Sequence, residues 1–319
     1  MSTLSLARGP VVLGIEGIEL TAADRERLVH PLVGAVILFA RNFTDGRQLD
    51  ALTAQIRALR TPSLLICVDH EGGRVQRFRD GFTPIPAMRT LGDQWDGDAA
   101  AAAREATRLG TIIARELRVH GIDFSFAPVL DLDFGSSTVI GDRAFHSEAN
   151  AVAQLASSLR LGLNAGGCAA VGKHFPGHGF VAADSHVDVP VDERSFAELA
   201  ASDLLPFAAL IREGLEAVMP AHVIYPAVDA LPAGYSRIWL QDLLRDRYGF
   251  DGLVFSDDLG MAGAHTAGDI VARADAALSA GCDMVLTCNE FADAEELLSR
   301  WQPAPQSDLA RRTALLEGR

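Results

Sequence analysis

The chain has 319 residues, 49% hydrophobic and 22% charged, so it can bury a large core and global disorder is excluded. Its formal net charge of −14 argues against nucleic acid or an anionic membrane as the main partner. Any anionic group on a substrate would need local arginines to overcome that negative field.

Eight short apolar segments alternate with helical patterns along the chain. The predicted strands are residues 11–15, 34–39, 64–68, 123–130, 168–172, 217–219, 253–255 and 283–286. The first predicted helix is capped by Thr21 with Asp24 three residues on. Further helices are predicted over residues 47–59, 99–119, 148–163, 196–212, 238–247, 270–280 and 292–301, followed by a polar tail.

This order of elements predicts an α/β fold with a parallel sheet covered on its outer face by helices. Eight strand–helix units suit a (β/α)8 TIM barrel better than a doubly wound sheet, which more often stops at five or six strands. No GxGxxG motif opens the first helix, which weakens the dinucleotide-binding alternative further. We expect residues 1–319 to form a single TIM-barrel catalytic domain.

Polar residues follow the predicted strands at their carboxyl ends. In a barrel those ends share one face, where active sites lie. Six ionisable residues are predicted to converge there: Asp69, Asp131, Lys173, His174, His222 and Asp257.

The segment over residues 171–192, VGKHFPGHGFVAADSHVDVPVD, is the richest in titratable groups. Pro176 and Gly177 exclude regular structure, so its polar groups are expected on a loop. Only Ser185 separates Asp184 from His186, so the carboxylate can fix the tautomer of the imidazole. A lone pair of this kind would be a loop-stabilising hydrogen bond, but the surroundings favour a general acid that later acts as a base.

Asp257 and Asp258 end the seventh strand. One of two adjacent aspartates commonly caps the next helix, and the first is better placed to point into the barrel mouth. A carboxylate with no adjacent base suits attack on a carbon that becomes cationic, such as an anomeric centre. Acyl transfer would use a serine or cysteine, and the sequence has no GxSxG motif.

Lys173 and His174 could form a structural pair, but a lysine facing the barrel mouth needs an acceptor such as a sugar hydroxyl or a carboxylate. His178 stands four residues after His174, a spacing that could suggest a metal pair. Pro176 and Gly177 prevent the helix that would make that spacing meaningful, so no metal is expected.

Asp69 precedes a tight turn at Gly72 and Gly73, which would bring backbone close to a ligand. Arg77 follows in the same motif, and Arg143 lies in GDRAFHS. Each arginine is either a surface residue or a ligand-binding one.

The four cysteines lie in or beside apolar segments without CxxC spacing, as expected of small core residues in a reducing compartment, or of one disulfide. The first residues lead into no sustained apolar segment, and the most apolar window, residues 32–40, is too short to span a bilayer. We expect a cytoplasmic protein that does not bind membranes.

Three motifs in this order, VDHEGGRVQRF, KHFPGHG followed by DSH, and FSDDLGMAGA, resemble those of the bacterial β-N-acetylglucosaminidases of glycoside hydrolase family 3. More narrowly, the sequence is similar to the cytoplasmic enzyme of peptidoglycan recycling. The resemblance runs from Asp69 to Ala264 and implies a single (β/α)8 barrel. It also implies retaining, two-step removal of terminal N-acetylglucosamine from 1,6-anhydro-N-acetylmuramic acid, with or without the stem peptide.

The resemblance implies roles for particular residues. Asp257 corresponds to the nucleophile, His186 to the general acid/base and Asp184 to its partner. The positions expected to hold the sugar hydroxyls and the N-acetyl group are Asp69, Arg77, Arg143, Lys173 and His174. No cofactor or metal is implied, the expected partner is a small glycan substrate, and we expect a monomer rather than a dimer.

Three alternatives remain open from the sequence. A His–Asp acid/base lowers repulsion for anionic acceptors, so the site could be a phosphorylase that uses phosphate in place of water. The barrel could also be a non-catalytic sugar-binding or regulatory protein. A metal-dependent amidohydrolase on the same fold would lose activity with chelators.

Overall fold

The computed structural model describes residues 4–181 and 189–318, which build a ring of eight parallel strands surrounded by helices. The ring strands are β1 (Val11–Gly14), β2 (Val33–Leu38), β3 (Leu65–Val68), β4 (Phe124–Ser125), β5 (Val171–Phe175), β6 (Ala217–Pro220), β7 (Leu253–Asp258) and β8 (Met284–Thr287).

Each ring strand pairs with its neighbour in sequence, and β8 pairs with β1. Parallel bridges between Phe124 and Ala169 and between Val129 and Lys173 join β4 to β5 and close the ring. Parallel strands need crossover connections, and the helices between them supply these on the outer face. The predicted (β/α)8 barrel is confirmed.

Helices surround the ring in chain order. They are α1 (Ala22–Leu28), α2 (Gly46–Arg57), α3 (Arg89–Gly97), α4 (Ala99–Val119), α5 (Ala149–Ala165), α6 (Phe196–Ala201), α7 (Leu204–Arg212), the π-type helix α8 (Ile238–Arg247), α9 (Ile270–Ala280), α10 (Phe291–Arg300) and α11 (Leu309–Ala314). The predicted cap of α1 is confirmed: the Thr21 side chain accepts the Asp24 N–H, and the Asp24 carboxylate accepts the Thr21 N–H.

Short strand pairs and 3-10 segments lie outside the ring. Leu4–Ser5 pairs with Arg60–Thr61, His70–Gly72 with Val75–Gln76, and Ile224–Tyr225 with Asp229–Pro232. Single 3-10 turns occupy Ala40–Asn42, Gly141–Arg143, Ala233–Tyr235 and Ala262–Ala267.

The barrel interior is filled by side chains. Phe124, Phe126 and Phe255 pack together with ring centroids 5.1 to 5.7 Å apart, and all three are fully buried. Aliphatic side chains from the other strands complete this inner cluster, while the helices pack on the outside of the ring in a second cluster. The interior is therefore a packed core, and a cavity opens only beyond it.

Three elements differ from the sequence-based predictions. The helix predicted over 196–212 is two helices, because Pro206 lacks an N–H and is tolerated only in a first helical turn, here that of α7. The strand predicted over 123–130 is regular only at Phe124–Ser125, because Pro128 cannot donate to a ladder.

The third difference is the carboxyl-terminal tail, which was predicted to be polar and irregular. It forms α11, and its Leu309 and Leu316 are buried in the inner cluster of the barrel. Leu309, Thr313 and Leu316 recur at helical spacing and are all buried, a short signal that the arginines of this segment obscured.

Within the described ranges, no helix combines the length and the apolarity that crossing a membrane requires. The four cysteines, Cys67, Cys168, Cys282 and Cys288, are buried free thiols, as expected of core residues. Burial raises the pKa of each thiol, to about 12 for Cys168, so none is poised as a thiolate nucleophile.

Candidate active site

A cavity of about 720 Å³ opens at the carboxyl ends of the barrel strands. Six of the predicted site residues line it: Asp69, Arg77, Arg143, Lys173, His174 and Asp257. Asp131 and His222 lie behind the lining and are completely buried. Asp184 and His186 fall outside the described residues. Four of the six predicted strand-end residues thus line the cavity, and the other two, Asp131 and His222, lie behind it.

Two strands reach further into this mouth than predicted. Lys173 and His174 belong to β5, and Asp257 belongs to β7, instead of following those strands. A loop had been expected after residue 172 because of Pro176 and Gly177, and the seventh strand had been expected to end at residue 255. In a barrel, inward-pointing residues at a strand end face the ligand cavity, so polar residues are tolerated within the strand itself.

Asp257 lines the cavity and is hydrogen-bonded through one of its two carboxylate oxygens. Its Oδ1 accepts the N–H of Asp258 at 2.8 Å, and no described residue hydrogen-bonds its Oδ2. Burial alone would raise the pKa of Asp257, but His174, His222 and Lys173, together with that N–H, outweigh it and lower the pKa. The carboxyl group is therefore ionised at neutral pH.

Its neighbour Asp258 serves the loop. The Oδ1 of Asp258 accepts the N–H groups of Gly260 and Cys288 at 3.0 and 3.2 Å. Burial raises its pKa, and the adjacent Asp257 adds to the increase. Both aspartates line the cavity, and Asp258 also organises the chain after β7 through these two N–H groups.

A buried ion-pair network forms one wall of the cavity. Lys173 Nζ lies 2.7 Å from Asp69 Oδ1 and 2.6 Å from Glu71 Oε1. Glu71 also receives a bidentate pair from Arg143 Nε and Nη2, at 2.8 and 2.9 Å. Burial opposes ionisation of Glu71, yet Arg143 and Lys173 lower its pKa strongly, while the two carboxylates raise the pKa of Lys173 despite its burial.

The network gives the lysine the acceptors that the sequence argument required. Glu71 was not singled out from the sequence, although it stands two residues after Asp69 on the short strand His70–Gly72. The available signal was charge balance, because a buried lysine and a buried arginine need more than one carboxylate. Gly72 and Gly73 form the predicted tight turn with φ of 109° and 54°.

The imidazole of His174 is fixed from behind the cavity. Its Nδ1 lies 2.6 Å from Asp131 Oδ2, and Asp131 Oδ1 accepts the backbone N–H of His174 at 3.2 Å and that of His178 at 2.7 Å. Burial would raise the pKa of Asp131, but His174 and His178 outweigh it and lower the pKa. An ionised carboxylate only accepts hydrogen bonds, so Nδ1 of His174 carries a proton.

His222 supports Asp257 from the β6 side. Its Nε2 lies 3.2 Å from the carbonyl oxygen of Asp258, which requires Nε2 to donate. Burial lowers the pKa of His222, with Asp257 acting in the opposite direction. His222 therefore contacts the backbone of β7 next to Asp257 and does not line the cavity.

Arginines line the outer part of the cavity. Arg77 Nη2 lies 3.7 Å from Asp69 Oδ2, and Arg74 contacts Asp142 and the carbonyl oxygens of Thr138 and Val139. Arg41 was missed by sequence reasoning, although it stands three residues after β2, where the strand-end rule applies. The rule was not applied to this strand, although His222 and Asp257 were included at three and two residues after their predicted strands.

Arg41 differs from the other cavity arginines in its partners. Its Nε and Nη2 donate to the carbonyl oxygens of Ile15 and Cys288, both at 3.0 Å, and its Nη1 donates to Asn289 Oδ1 at 2.7 Å. The guanidinium lies over the ring of Phe39, 4.5 Å from its centroid. Among residues 4–181 and 189–318, no carboxylate forms an ion pair with it, so its charge is not neutralised locally.

Across the described ranges, no group of three or more histidine, cysteine, aspartate or glutamate side chains is arranged to hold a metal ion. Asp131 accepts hydrogen bonds from the ring and the backbone of His174 and from the backbone of His178. The described side chains that line this cavity include carboxylates, two imidazoles and cations.

Comparison with known proteins agrees with this geometry. Residues 10–306 match the N-terminal domain of glycosyl hydrolase family 3. Proteins named beta-hexosaminidase from Chromobacterium violaceum and Methylobacillus flagellatus are 57% and 59% identical over 316 and 313 residues, covering 99% and 98% of this chain and 88% and 89% of theirs.

Solved structures agree as well. NagZ from Neisseria gonorrhoeae, in complex with N-trifluoroacetyl-D-glucosamine, is 52% identical with a TM-score of 0.95, over 99% of this chain and 92% of its own. A family 3 β-N-acetylglucosaminidase from a Paenibacillus strain is 33% identical with a TM-score of 0.89, over 96% of this chain and 60% of its own. The chain therefore belongs to glycoside hydrolase family 3, among its bacterial β-N-acetylhexosaminidases.

Proposed function

We propose that this enzyme is a retaining exo-β-N-acetylglucosaminidase that removes terminal N-acetylglucosamine from 1,6-anhydro-muropeptides in cell-wall recycling. The observation that carries the proposal is the state of Asp257. Its carboxylate is ionised and belongs to a residue that lines the cavity, its Oδ1 accepts the N–H of Asp258, and no described residue hydrogen-bonds its Oδ2. Such a group can attack an anomeric carbon without a base to activate it.

The reaction then has two steps. Asp257 attacks the anomeric carbon and forms a covalent glycosyl–enzyme while the leaving oxygen takes a proton, and water attacks the same carbon in the second step. We assign the proton transfers to His186, oriented by Asp184, on the sequence argument that a carboxylate one residue away can fix the imidazole tautomer. Two displacements at one carbon return the β configuration.

The sugar would lie against the ion-pair network. Asp69 and Lys173 present a carboxylate and an ammonium group to the cavity, and both suit sugar hydroxyls. His174 presents its Nε2 edge, because Nδ1 is engaged by Asp131. Arg143 gives Nε and Nη2 to Glu71, so it would bind a ligand through Nη1, whereas Arg77 is less fully paired.

Arg41 supports an anionic aglycone. Muropeptides carry carboxylates, and the strongly negative protein would repel them unless a local cation offsets its field. Arg41 lines the cavity with no ion pair among the described residues, and three of its five N–H groups are used. The remaining donors are available to a carboxylate on the leaving group.

The direct test is hydrolysis of purified N-acetylglucosaminyl-1,6-anhydro-N-acetylmuramic acid, with and without stem peptide. We expect free N-acetylglucosamine, formed first as the β-anomer by proton NMR. A first product in the α configuration would contradict the retaining mechanism, and no cleavage would contradict the substrate. Adding phosphate should yield no sugar-1-phosphate, and chelators should leave the rate unchanged. A matched set of chromogenic N-acetylglucosaminide, N-acetylgalactosaminide and glucoside substrates would define the sugar.

The role of Arg41 is tested by Arg41→Gln. We expect kcat/KM for the muropeptide to fall by about 10-fold, one lost charge-assisted hydrogen bond being worth about 1.5 to 3 kcal/mol. The rate on a neutral aryl N-acetylglucosaminide should change little. Arg74→Gln is the matched control, since Arg74 lines the same cavity but is engaged by Asp142 and backbone carbonyl groups. Equal losses on both substrates would remove Arg41 from aglycone recognition.

A further inference from the structure

Asp131 is a completely buried carboxylate that does not line the cavity. It accepts three N–H groups, from the backbone of His174, the backbone of His178 and the ring Nδ1 of His174. Three donors compensate the loss of hydration that burial imposes on a carboxylate. In the described part of the chain, His174 is the side chain to which it is hydrogen-bonded.

Other buried carboxylates of this barrel have different partners. Asp123, at the opposite end of the same segment, forms ion pairs with Arg57 and Arg118 and accepts the N–H of Ile66. A buried carboxylate that only stabilises the fold is typically paired with a cation, here arginines from the surrounding helices. The partner of Asp131 is an imidazole that reaches the cavity, so the effect of Asp131 passes through His174 to whatever the cavity holds.

The hydrogen bond decides which face of His174 is available. Because the carboxylate can only accept, Nδ1 is the protonated nitrogen and its N–H points away from the cavity. The ring is also held in one orientation, since the same carboxylate holds the backbone of His174 and of His178. Nε2 is thereby left for the ligand side, where His174 lies close enough to Asp257 to favour its ionised form.

We propose that Asp131 is a positioning residue for the reaction at Asp257: it fixes the orientation and protonated nitrogen of His174, which presents Nε2 to the sugar and stabilises the charge on Asp257. This inference rests on the proposed role of Asp257 as nucleophile. The groups that share this environment are His174 and His178 from β5 and the turn after it, His222 from the end of β6, Lys173, Arg143 and Asp258.

The test is Asp131→Asn. Asparagine keeps an oxygen for the two backbone N–H groups, but its amide NH₂ faces Nδ1 of His174 and forces that nitrogen to accept. The imidazole then carries its proton on Nε2 and is neutral. On a chromogenic N-acetylglucosaminide we expect kcat/KM to fall by about 10- to 100-fold, the usual effect of losing a group that orients a ligand-binding histidine.

The pH profile distinguishes positioning from a general loss of structure. Asp257 must be ionised to attack, so kcat/KM falls on the acid side of its pKa. Releasing His174 from Asp131 should weaken the contact through which His174 lowers the pKa of Asp257, and so move the acid limb of the profile to higher pH. Asp123→Asn is the control, because it removes a carboxylate of similar burial from the same segment. It should lower stability and leave the acid limb in place.

Two further measurements keep the inference testable if Asp131→Asn folds poorly. Nitrogen-15 NMR of the wild-type protein should show His174 protonated at Nδ1 at neutral pH. In a double-mutant cycle, Asp131→Asn should cost little more once His174→Ala is present. Additive effects in the cycle, an unshifted acid limb or an unprotonated Nδ1 would overturn the inference. Substantial turnover by Asp257→Ala would instead overturn the proposed nucleophile, and the two failures are separable.

Discussion

At the amino ends of the barrel strands, two buried carboxylates and one partly buried carboxylate are paired with arginines, whereas at the carboxyl ends Asp257 has an oxygen that no described residue hydrogen-bonds. Asp123, Glu216 and Asp283 each stand immediately before a strand, of β4, β6 and β8 in turn. Each accepts a backbone N–H from the preceding part of the barrel or the next strand. Asp123 accepts the N–H of Ile66, Glu216 accepts that of Ala170, and Asp283 accepts that of Val254.

Arginines from the outer helices complete these amino-end sites. Arg57 and Arg118 bind Asp123, Arg160 binds Glu216, and Arg245 and Arg312 bind Asp283. The same arrangement recurs before β4, β6 and β8. In each case the carboxylate links the start of its own strand to a backbone N–H beside another strand and to an arginine of an outer helix. By contrast, at the carboxyl ends Asp69 pairs with Lys173 and Arg77, and Asp257 accepts one backbone N–H and forms no ion pair with a described residue. Carboxylates therefore stabilise the fold at one end of the barrel and are available for chemistry at the other. The difference lies in how many hydrogen bonds each carboxylate accepts from within the protein.

The largest expected effect is at the carboxyl end. Asp257→Ala should lower kcat by about 10⁴- to 10⁶-fold, the range found when a nucleophile is removed. The melting temperature should change little, because Oδ1 is engaged by one adjacent N–H. Azide should restore turnover of an activated aryl glycoside and give the α-glycosyl azide. Near-normal turnover without azide would refute the assignment.

At the amino end, Asp283→Ala should cost about 3–5 kcal/mol of unfolding free energy, because it leaves Arg245 and Arg312 without their buried partner. Urea unfolding would measure the loss, and kcat of the folded enzyme should stay within about twofold of wild type. Asp251→Ala is the control: Asp251 is 72% exposed at its side chain and pairs with Arg311, so the urea midpoint should hardly move. Equal losses in the two variants would contradict the distinction.

The tail that closes the amino end offers a smaller test. Leu316 is fully buried in the inner cluster, so Leu316→Ala should destabilise the protein by about 2–5 kcal/mol, the range for truncating a buried leucine. Leu161→Ala, at a position 55% exposed, should have little effect. An unchanged melting temperature for Leu316→Ala would mean that α11 does not contribute to the barrel.

The smallest expected effect is the pH dependence of the stability that Glu71 contributes to the fold. The pKa of Glu71 is lowered in the folded protein, so its charge stabilises the fold above the unfolded pKa of about 4.3, and this contribution is lost as pH falls towards the folded pKa. Glu71→Gln should therefore be less stable than wild type at pH 7, and the gap should narrow below about pH 4. Urea midpoints at pH 7, 5 and 3.5 would measure it. A gap independent of pH would show that Glu71 is not the stabilising charge.

Much of this molecule follows from local sequence. Short apolar segments alternating with amphipathic helices specify a barrel because only a closed parallel sheet buries eight such strands on both faces. The strand-end rule then located Asp69, Lys173, His174 and Asp257, since their positions depend only on where each strand ends. Thr21 and Asp24 specified the start of α1 for the same reason, because a cap is a contact between residues three apart.

Tertiary structure decided what depends on contacts between distant segments. Glu71 joins the site through Lys173, 102 positions later in the chain, and Asp131 through His174, whose hydrogen bond spans 43 positions. Whether Arg143 is a surface arginine or a cavity one was open from the sequence, and its pairing with Glu71 across 72 positions settled where it lies. Propensity and periodicity describe neighbours along the chain, whereas the number of lone pairs that a carboxylate retains is set by every segment that packs against it.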